Sequence, residues 1–247
     1  SNDLDKWQLA ADAAKDIIDT NAYELYPDYG EAFLDTNNEQ IFVRTFSVSS
    51  GHQVTFLQTS HTLGGWGGWG GSNCPSQNLV DDYEMTNGEP PFVNDSIVNP
   101  ISGYDPQNPY ANRDPRFYDT VIFQGDVFRA DARPEGQAEY DASNGTDGTI
   151  DPNNGRLTVT APYGIDHKRI NGDNSLTSYN MKKFIDKTRL ISRSNGGYTQ
   201  PWIFFRLAEV YLNYAEAMYE LGDEDEARKY VNLVRRRPSV NMPDLTN

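Results

Sequence analysis

The 247-residue sequence predicts a mainly α-helical protein whose helices, at both ends, carry a long irregular insertion with a few short β-hairpins. Three observations predict this. The first twenty and last forty residues repeat apolar side chains at helical spacing. Residues 47–199 are dominated by Gly, Asn, Asp, Pro and Ser and nearly lose that period. Aromatic residues make up 12% of a hydrophilic chain, which suits a folded protein with many wet loops and disfavours disorder.

Trp7, Ala10, Ala11, Ala14, Ile17 and Ile18 form one apolar helical face, with Asp3 placed to cap it. Asn21 follows, a residue that tolerates a left-handed C-terminal position. Tyr26-Pro27-Asp28-Tyr29 reads as an extended turn, and Gln40-Ile41-Phe42-Val43-Arg44 as a strand. In the insertion, Asn87-Gly88, Asn144-Gly145, Asp147-Gly148, Asn154-Gly155 and Asn171-Gly172 are turn dipeptides. Thr120–Phe123 and Val127-Phe128 flank Gln124-Gly125-Asp126 as a hairpin, and Arg156–Thr160 is a further strand.

The C-terminal forty residues form a helical hairpin. Leu207, Val210, Tyr211, Tyr214, Met218 and Leu221 make one face. Gly222 ends that helix and Asp223, with Glu226 three residues on, opens the next as a capping box. Ala227, Tyr230, Val231 and Val234 face inward. Acids at residues 223–226 and Arg235-Arg236-Arg237 match the helix dipole, and Pro238 stops the helix. The small residues Ala215, Gly222 and Ala227 fit the close-approach positions of a tetratricopeptide-like hairpin, which needs a neighbour such as the N-terminal helix.

Acidic residues number 36 against 21 Lys and Arg, a formal charge of −15 that repels phosphate backbones and excludes nucleic acid as a partner. No apolar run is long enough to span a membrane as a helix. The single cysteine, Cys74, excludes an intramolecular disulfide framework. The abrupt opening Ser1-Asn2-Asp3 reads as a trimmed start.

Five blocks in order resemble the SusD/RagB family. They are Tyr23–Tyr29 with Asn38–Phe42, Pro75–Met85, Asn112–Tyr118, Met181–Phe184, and Arg206–Ala217 running on to Arg235. The resemblance implies a single SusD-like domain fragment: scaffold at 1–46, a loop-rich ligand-binding half at 47–199 and a helical hairpin at 200–247. It implies a surface-exposed outer-membrane lipoprotein of Bacteroidota, attached only through a lipid anchor absent from this chain. Such proteins bind oligosaccharide or polysaccharide and pass it to a SusC-like TonB-dependent transporter. Complete members are about twice as long, so this chain would be the C-terminal part.

The segment His61-Thr62-Leu63-Gly64-Gly65-Trp66-Gly67-Gly68-Trp69-Gly70-Gly71 is the candidate binding segment. An indole face is negative and sugar C–H groups weakly positive, so Trp66 and Trp69 suit stacking on a sugar, with His61 bonding a hydroxyl. The alternative is that the rings pin their own loop. Tyr104 is a further ligand candidate, although Tyr104, Tyr110, Tyr163 and Tyr198 all suit loop anchoring. Asn73, Gln77 and Asn78 fall in a scaffold block. Arg113 and Arg116 around Asp114 read as a clamp holding a loop. Cys74 with His61 gives no nucleophile motif, and Cys74 is expected to be buried. Acid pairs such as Asp81 and Glu84 are uninformative in so acidic a chain. Asp147, Asp151, Asn153 and Asn154 read as Asx turns rather than a calcium loop. No catalytic residue, metal or cofactor is expected. The competing reading is a tetratricopeptide-type protein-interaction module without glycan binding of its own; a glycoside hydrolase is a weaker third.

Overall fold

The computed structural model describes residues 2–59, 73–94, 96–126, 148–150, 157–159, 175–188 and 197–246. Among them it is mostly helical, with six α-helices and short paired strands. In chain order these are α1 (Asn2–Asp19), β1 (Gln40–Arg44), α2 (Val54–Gln58), α3 (Gln77–Asp82), β2 (Phe92–Val93), β3 (Ile97–Val98), α4 (Pro115–Thr120), β4 (Val121–Ile122), β5 (Gly148–Ile150), β6 (Leu157–Val159), β7 (Asn180–Met181), β8 (Trp202–Arg206), α5 (Leu207–Glu220) and α6 (Glu224–Arg235). Residues 1–45 and 201–247 form one compact unit and Phe46–Gln200 a second.

In the first unit α5 is the central helix. Its Val210, Tyr214, Ala215 and Ala217 are buried with Ala11 and Ala14 of α1 and with Ala227 and Tyr230 of α6. Alanines at these contacts let the axes approach closely. Tyr230 packs edge-on against Tyr211 and Tyr214, with ring centroids 5.3 and 4.6 Å away. The N-terminal helix is therefore the neighbour that the hairpin requires. Helix α1 begins at Asn2, which places Asp3 and Asp5 inside its first turn, near the positive end of the dipole, rather than at the cap. Asn21 takes the left-handed conformation, φ 51°.

The α5–α6 turn is a Schellman motif. Gly222 N–H donates to Tyr219 O and Asp223 N–H to Met218 O, with Gly222 at φ 87°. This corrects the capping box. The Asp223 side chain does accept from Glu226 N–H at 3.1 Å. Its own N–H is already taken by Met218, however, and the Glu226 carboxylate turns to Lys229.

A buried carboxylate joins four distant stretches of this unit. Glu39 is 1% exposed and accepts from Arg206 Nη1 (2.7 Å), Arg237 Nη1 (2.7 Å), Arg237 Nη2 (2.9 Å) and Tyr26 N–H (2.9 Å). Glu39 O accepts from Leu207 N–H at 2.8 Å, fixing where β8 becomes α5. Tyr29 and Phe33 cover the two guanidiniums, with Arg237 5.9 Å from the Tyr29 ring centre and Arg206 5.4 Å from that of Phe33. Arg237 thus departs from the expected role of dipole partner: it leaves the helix end and turns inward. Of the other two arginines, Arg235 donates to Pro243 O and Arg236 pairs with Asp244.

In the second unit β4 lies between two small cores. Strand alternation points Val121 into a cluster with Val80, Phe117 and Tyr179, and Ile122 into one with Phe56, Ile185 and Tyr198. Its observed partner is β7, Val121 opposite Met181 and Ile122 opposite Asn180. The expected hairpin partner, residues 127–128, lies outside the described residues. Strand β6 matches the expected strand and pairs antiparallel with β5. Gly51 and Gly197 bring two chain stretches into near contact beside the His52–Tyr198 bridge. A Cβ on Gly197 would lie 2.2 Å from Gly51 Cα.

Burial pushes the Glu39 carboxyl up, but Arg237, Arg206 and the Tyr26 N–H outweigh it and hold it below its ordinary 4.5. A depressed carboxyl stabilises the fold above its unfolded value and loses that contribution as pH falls through the folded one. Thermal melts of the wild type are expected to lose stability below about pH 4.5 more steeply than those of Glu39→Gln. At pH 7 that variant, which strands a buried arginine, is expected to be less stable by about 3–5 kcal/mol. Gly197→Ala, by forcing two backbones apart, is expected to cost about 1–3 kcal/mol in a denaturant titration.

Candidate functional site

Helix α2 ends at Gln58, and the chain re-enters the described residues at Asn73. The Gln58 side chain closes this gap: its Oε1 accepts from Asn73 N–H at 2.8 Å. Gln58 is itself buried, and the neighbouring Thr59 hydroxyl donates to Thr55 O at 2.6 Å. This bond holds Asn73 beside the C-terminal end of α2. His61, Trp66 and Trp69 lie outside the described residues.

Downstream of Asn73 the chain is tied to the stretch before β7. Thr177 Oγ1 donates to Pro75 O at 2.6 Å. Cys74 sits beside the same residues and is half-buried rather than buried. Burial works against a charged sulfur, yet the hydroxyls of Ser175 and Thr177 and the backbone N–H groups of Thr177 and Leu176 aim at it, and the thiol is held below its ordinary value.

Ser76 then caps α3, accepting from Leu79 N–H at 3.1 Å. The exposed N-terminal turn of α3 meets a tyrosine pair. Tyr179 O–H donates to Gln77 Oε1 at 3.1 Å, and Gln77 Nε2 donates to Asp81 Oδ1 at 2.9 Å. The Tyr110 and Tyr179 hydroxyls lie 3.3 Å apart. Burial keeps the Tyr179 phenol up and so protonated, as its donor role requires. Gln77 and Asn78 are exposed; Tyr110 and Asp81 are half-buried. A row of amide, carboxylate and phenol groups over aromatic rings can exchange hydrogen bonds with a polyhydroxyl ligand. The Gln77 block, read as scaffold from sequence, supplies this polar row. The signal for it was the pairing of Gln77 with Asp81 at i,i+4.

Tyr104 lies elsewhere in this unit. Its ring packs 4.9 Å from Phe92 and 5.9 Å from the Arg113 guanidinium, and it is half-buried. Arg113 is 1% exposed and donates to Pro109 O, Val80 O and Tyr83 O, holding the end of α3. Burial pulls its pKa below the ordinary value, against Tyr104 and Asp81. Arg116 alone pairs with Asp114, which caps α4 through Arg116 N–H ahead of Pro115. The expected two-arginine clamp is thus one local ion pair and one buried arginine held by carbonyls. His52 takes a structural role, with Nδ1 accepting from Val54 N–H at 3.2 Å and Nε2 3.1 Å from Gln200 O.

Among the described residues no cluster of three or more His, Cys, Asp or Glu is arranged to hold a metal ion, and no helix is long and apolar enough to cross a membrane. Residues 147 and 151–156, the Asx-rich turn, lie outside the described residues.

With the fold and this surface in view, the comparisons with known proteins converge. The model of the SusD family matches residues 37–247, and the chain belongs to that family. A SusD-like carbohydrate-binding protein from Bacteroides fragilis is similar at 27% identity and TM-score 0.71, over 98% of this chain and 42% of its own. A second SusD-like protein from the same species shows 28% identity and TM-score 0.65, over 98% of this chain and 45% of its own. A surface glycan-binding protein from Bacteroides thetaiotaomicron, solved with laminarihexaose, shares the fold at 18% identity and TM-score 0.50, over 99% of this chain and 45% of its own. This chain spans less than half the length of each. Among curated proteins no relative matches.

Removing the tie at Gln58 tests how the segment is anchored. Gln58→Ala is expected to cost about 1 kcal/mol, the worth of one hydrogen bond, and to speed hydrogen exchange at the Asn73 amide selectively. Unchanged exchange there would show that the tie does not hold the segment.

Proposed function

We propose that this chain is the glycan-contacting part of a SusD-type protein, which captures oligosaccharide or polysaccharide without catalysis. Capture is at the cell surface, for delivery to a SusC-like TonB-dependent outer-membrane transporter. The observation that carries the reading is the Gln58–Asn73 tie, which fixes the base of the glycine-tryptophan segment. Family membership and the carbohydrate-binding relative from Bacteroides fragilis support it.

In this reading Trp66 and Trp69 stack on sugar faces and His61 bonds a hydroxyl. Gln77 and Asp81 offer an amide and a carboxylate to further hydroxyls. Tyr104, held by Phe92 and Arg113, forms a secondary contact. Stacking is assigned to the indoles because a ring face matches the weakly positive C–H face of a pyranose.

A second reading has its own support. Helices α1, α5 and α6 pack through Ala11, Ala14, Ala215, Ala217 and Ala227, as tetratricopeptide-like helices do, and such a surface can serve as a protein-interaction module. In the proposed function these helices are the scaffold and the loop-rich half is the working surface.

Calorimetric titration with laminarihexaose and a panel of α- and β-glucans, mannans and xylans separates the readings. Binding without release of shorter sugars is expected. Trp66→Ala and Trp69→Ala are each expected to weaken it about tenfold, roughly 1.4 kcal/mol, with an unchanged melting profile. Affinity unchanged in both variants removes the indoles from the site. Capture of a transporter with no glycan bound favours the interaction module, and released sugars a hydrolase.

A further inference from the structure

His52 joins two backbone stretches of the second unit through opposite edges of one ring. Its Nε2 lies 3.1 Å from Gln200 O. A carbonyl oxygen only accepts, so Nε2 carries the proton. Nδ1 is then the acceptor, and it takes the Val54 N–H at 3.2 Å. The neutral Nε2–H tautomer is the form that satisfies both partners at once. Backbone bonds repeat the join: His52 N–H donates to Tyr198 O and Tyr198 N–H to His52 O, each at 3.0 Å. The ring packs edge-on against Phe46, with centroids 4.9 Å apart, and lies 6.3 Å from the Tyr198 ring.

The bond to Val54 sits at the start of α2, whose N-cap residue, Gln53, supplies no side-chain cap. The His52 ring takes that place. At the other end of this five-residue helix, Gln58 holds Asn73. Between them Phe56 enters the core with Ile122, Ile185 and Tyr198. The ring and the Gln58–Asn73 tie thus hold opposite ends of one short element.

A proton added to Nδ1 makes both ring nitrogens donors. Nδ1–H then faces the Val54 N–H, donor against donor, and the bond is lost. An unconstrained histidine titrates at about 6.5. An open form therefore takes up a proton in mild acid that the closed form accepts only by losing this bond, and closure weakens as pH falls through that range. Residues 46–59 and 197–200, which bear these contacts, contain no Asp, Glu, Lys or Arg; Tyr198 is the titratable ring that faces His52. Around the shared core, Asp126 pairs with Lys182 at 3.0 Å, with Lys187 near it, and Asp186 accepts from Thr188.

We infer that His52 is a pH-sensitive latch. Neutral, it seats the start of α2 and, through α2, the Gln58–Asn73 tie. Protonated, it frees that end of the helix, and carbohydrate held by the loop-rich unit is released in mild acid. The release rests on the proposed function; the latch does not.

Hydrogen exchange of the full chain, read by NMR at single amides between pH 7.5 and 5.5, tests the latch. Protection factors remove the intrinsic pH dependence of exchange. Those of Val54 and Asn73 are expected to fall about tenfold, the ratio that proton uptake by an ordinary histidine gives over this interval. Leu79, bonded to the Ser76 hydroxyl, is expected to hold. In His52→Gln and His52→Asn, whose side chains stay neutral, a flat profile is expected, although Asp126 is present in both. Laminarihexaose and the rest of the panel are expected to bind the wild type several-fold more weakly at pH 5.5 than at 7.5, and each variant equally at both. A flat wild-type profile, an equal fall at Leu79, or a fall that survives in the variants overturns the latch. Should neither variant fold, the wild-type contrast of Val54 and Asn73 with Leu79 decides. A latch that opens with glycan affinity unchanged overturns the release and leaves the proposed function standing. The expected amide profile with no glycan bound at either pH removes the proposed function and leaves the latch standing.

Discussion

The buried Glu39 carboxylate is the contact on which the scaffold unit depends. Taking a carboxylate and a guanidinium out of water costs several kcal/mol each, and only complete pairing recovers it. Here the pairing is complete, with four donors on two oxygens. The donors come from residues 26, 206 and 237, so one side chain holds together the turn before Tyr29, the end of β8 and the chain beyond α6. The α1–α5–α6 packing buries apolar surface but does not say where the strands enter and leave. The Glu39 site does: its backbone carbonyl sets the start of α5, and its side chain sets where the chain turns after Arg237.

The second unit is built on a different economy. It has no long helix among its described residues, and two small cores share one short strand. Where apolar area is scarce, side-chain-to-backbone bonds replace it. Arg113 gathers three carbonyls, Thr177 holds Pro75, and Gln58 holds Asn73. Each is a buried or half-buried polar group that fixes the exit and entry of a loop. That construction suits a ligand-bearing surface, in which binding residues sit on loops and precision comes from the points where those loops are tied.

Local signals in the sequence were legible because they act over a turn or two. The helical period of α1, α5 and α6, left-handed Asn21, Gly222 at the Schellman turn and Asp223 at the N-cap could all be read from neighbours in the chain. What was missed depends on partners far apart. Nothing near Arg237 distinguishes it from Arg235 and Arg236, yet it alone reaches Glu39, 198 residues away. Strand β4 pairs with β7, far along the chain, and sends its two side chains into separate cores. For the site, the sequence singled out the indoles by their unusual glycine setting. Gln77 reads as scaffold because its block resembles a structural block of the family, and its link to Tyr179, 102 residues away, cannot be read from chain neighbours.

The central claim is that carbohydrate is held by the loop-rich unit at the base fixed by Gln58 and Asn73. Hydrogen–deuterium exchange of the whole chain, with and without the tightest-binding glycan of the panel, tests it most directly. The account predicts slowed exchange in peptides covering residues 58–82, with residues 202–235 unchanged. Protection confined to the β8–α5–α6 stretch, or no protection with any glycan, would contradict it.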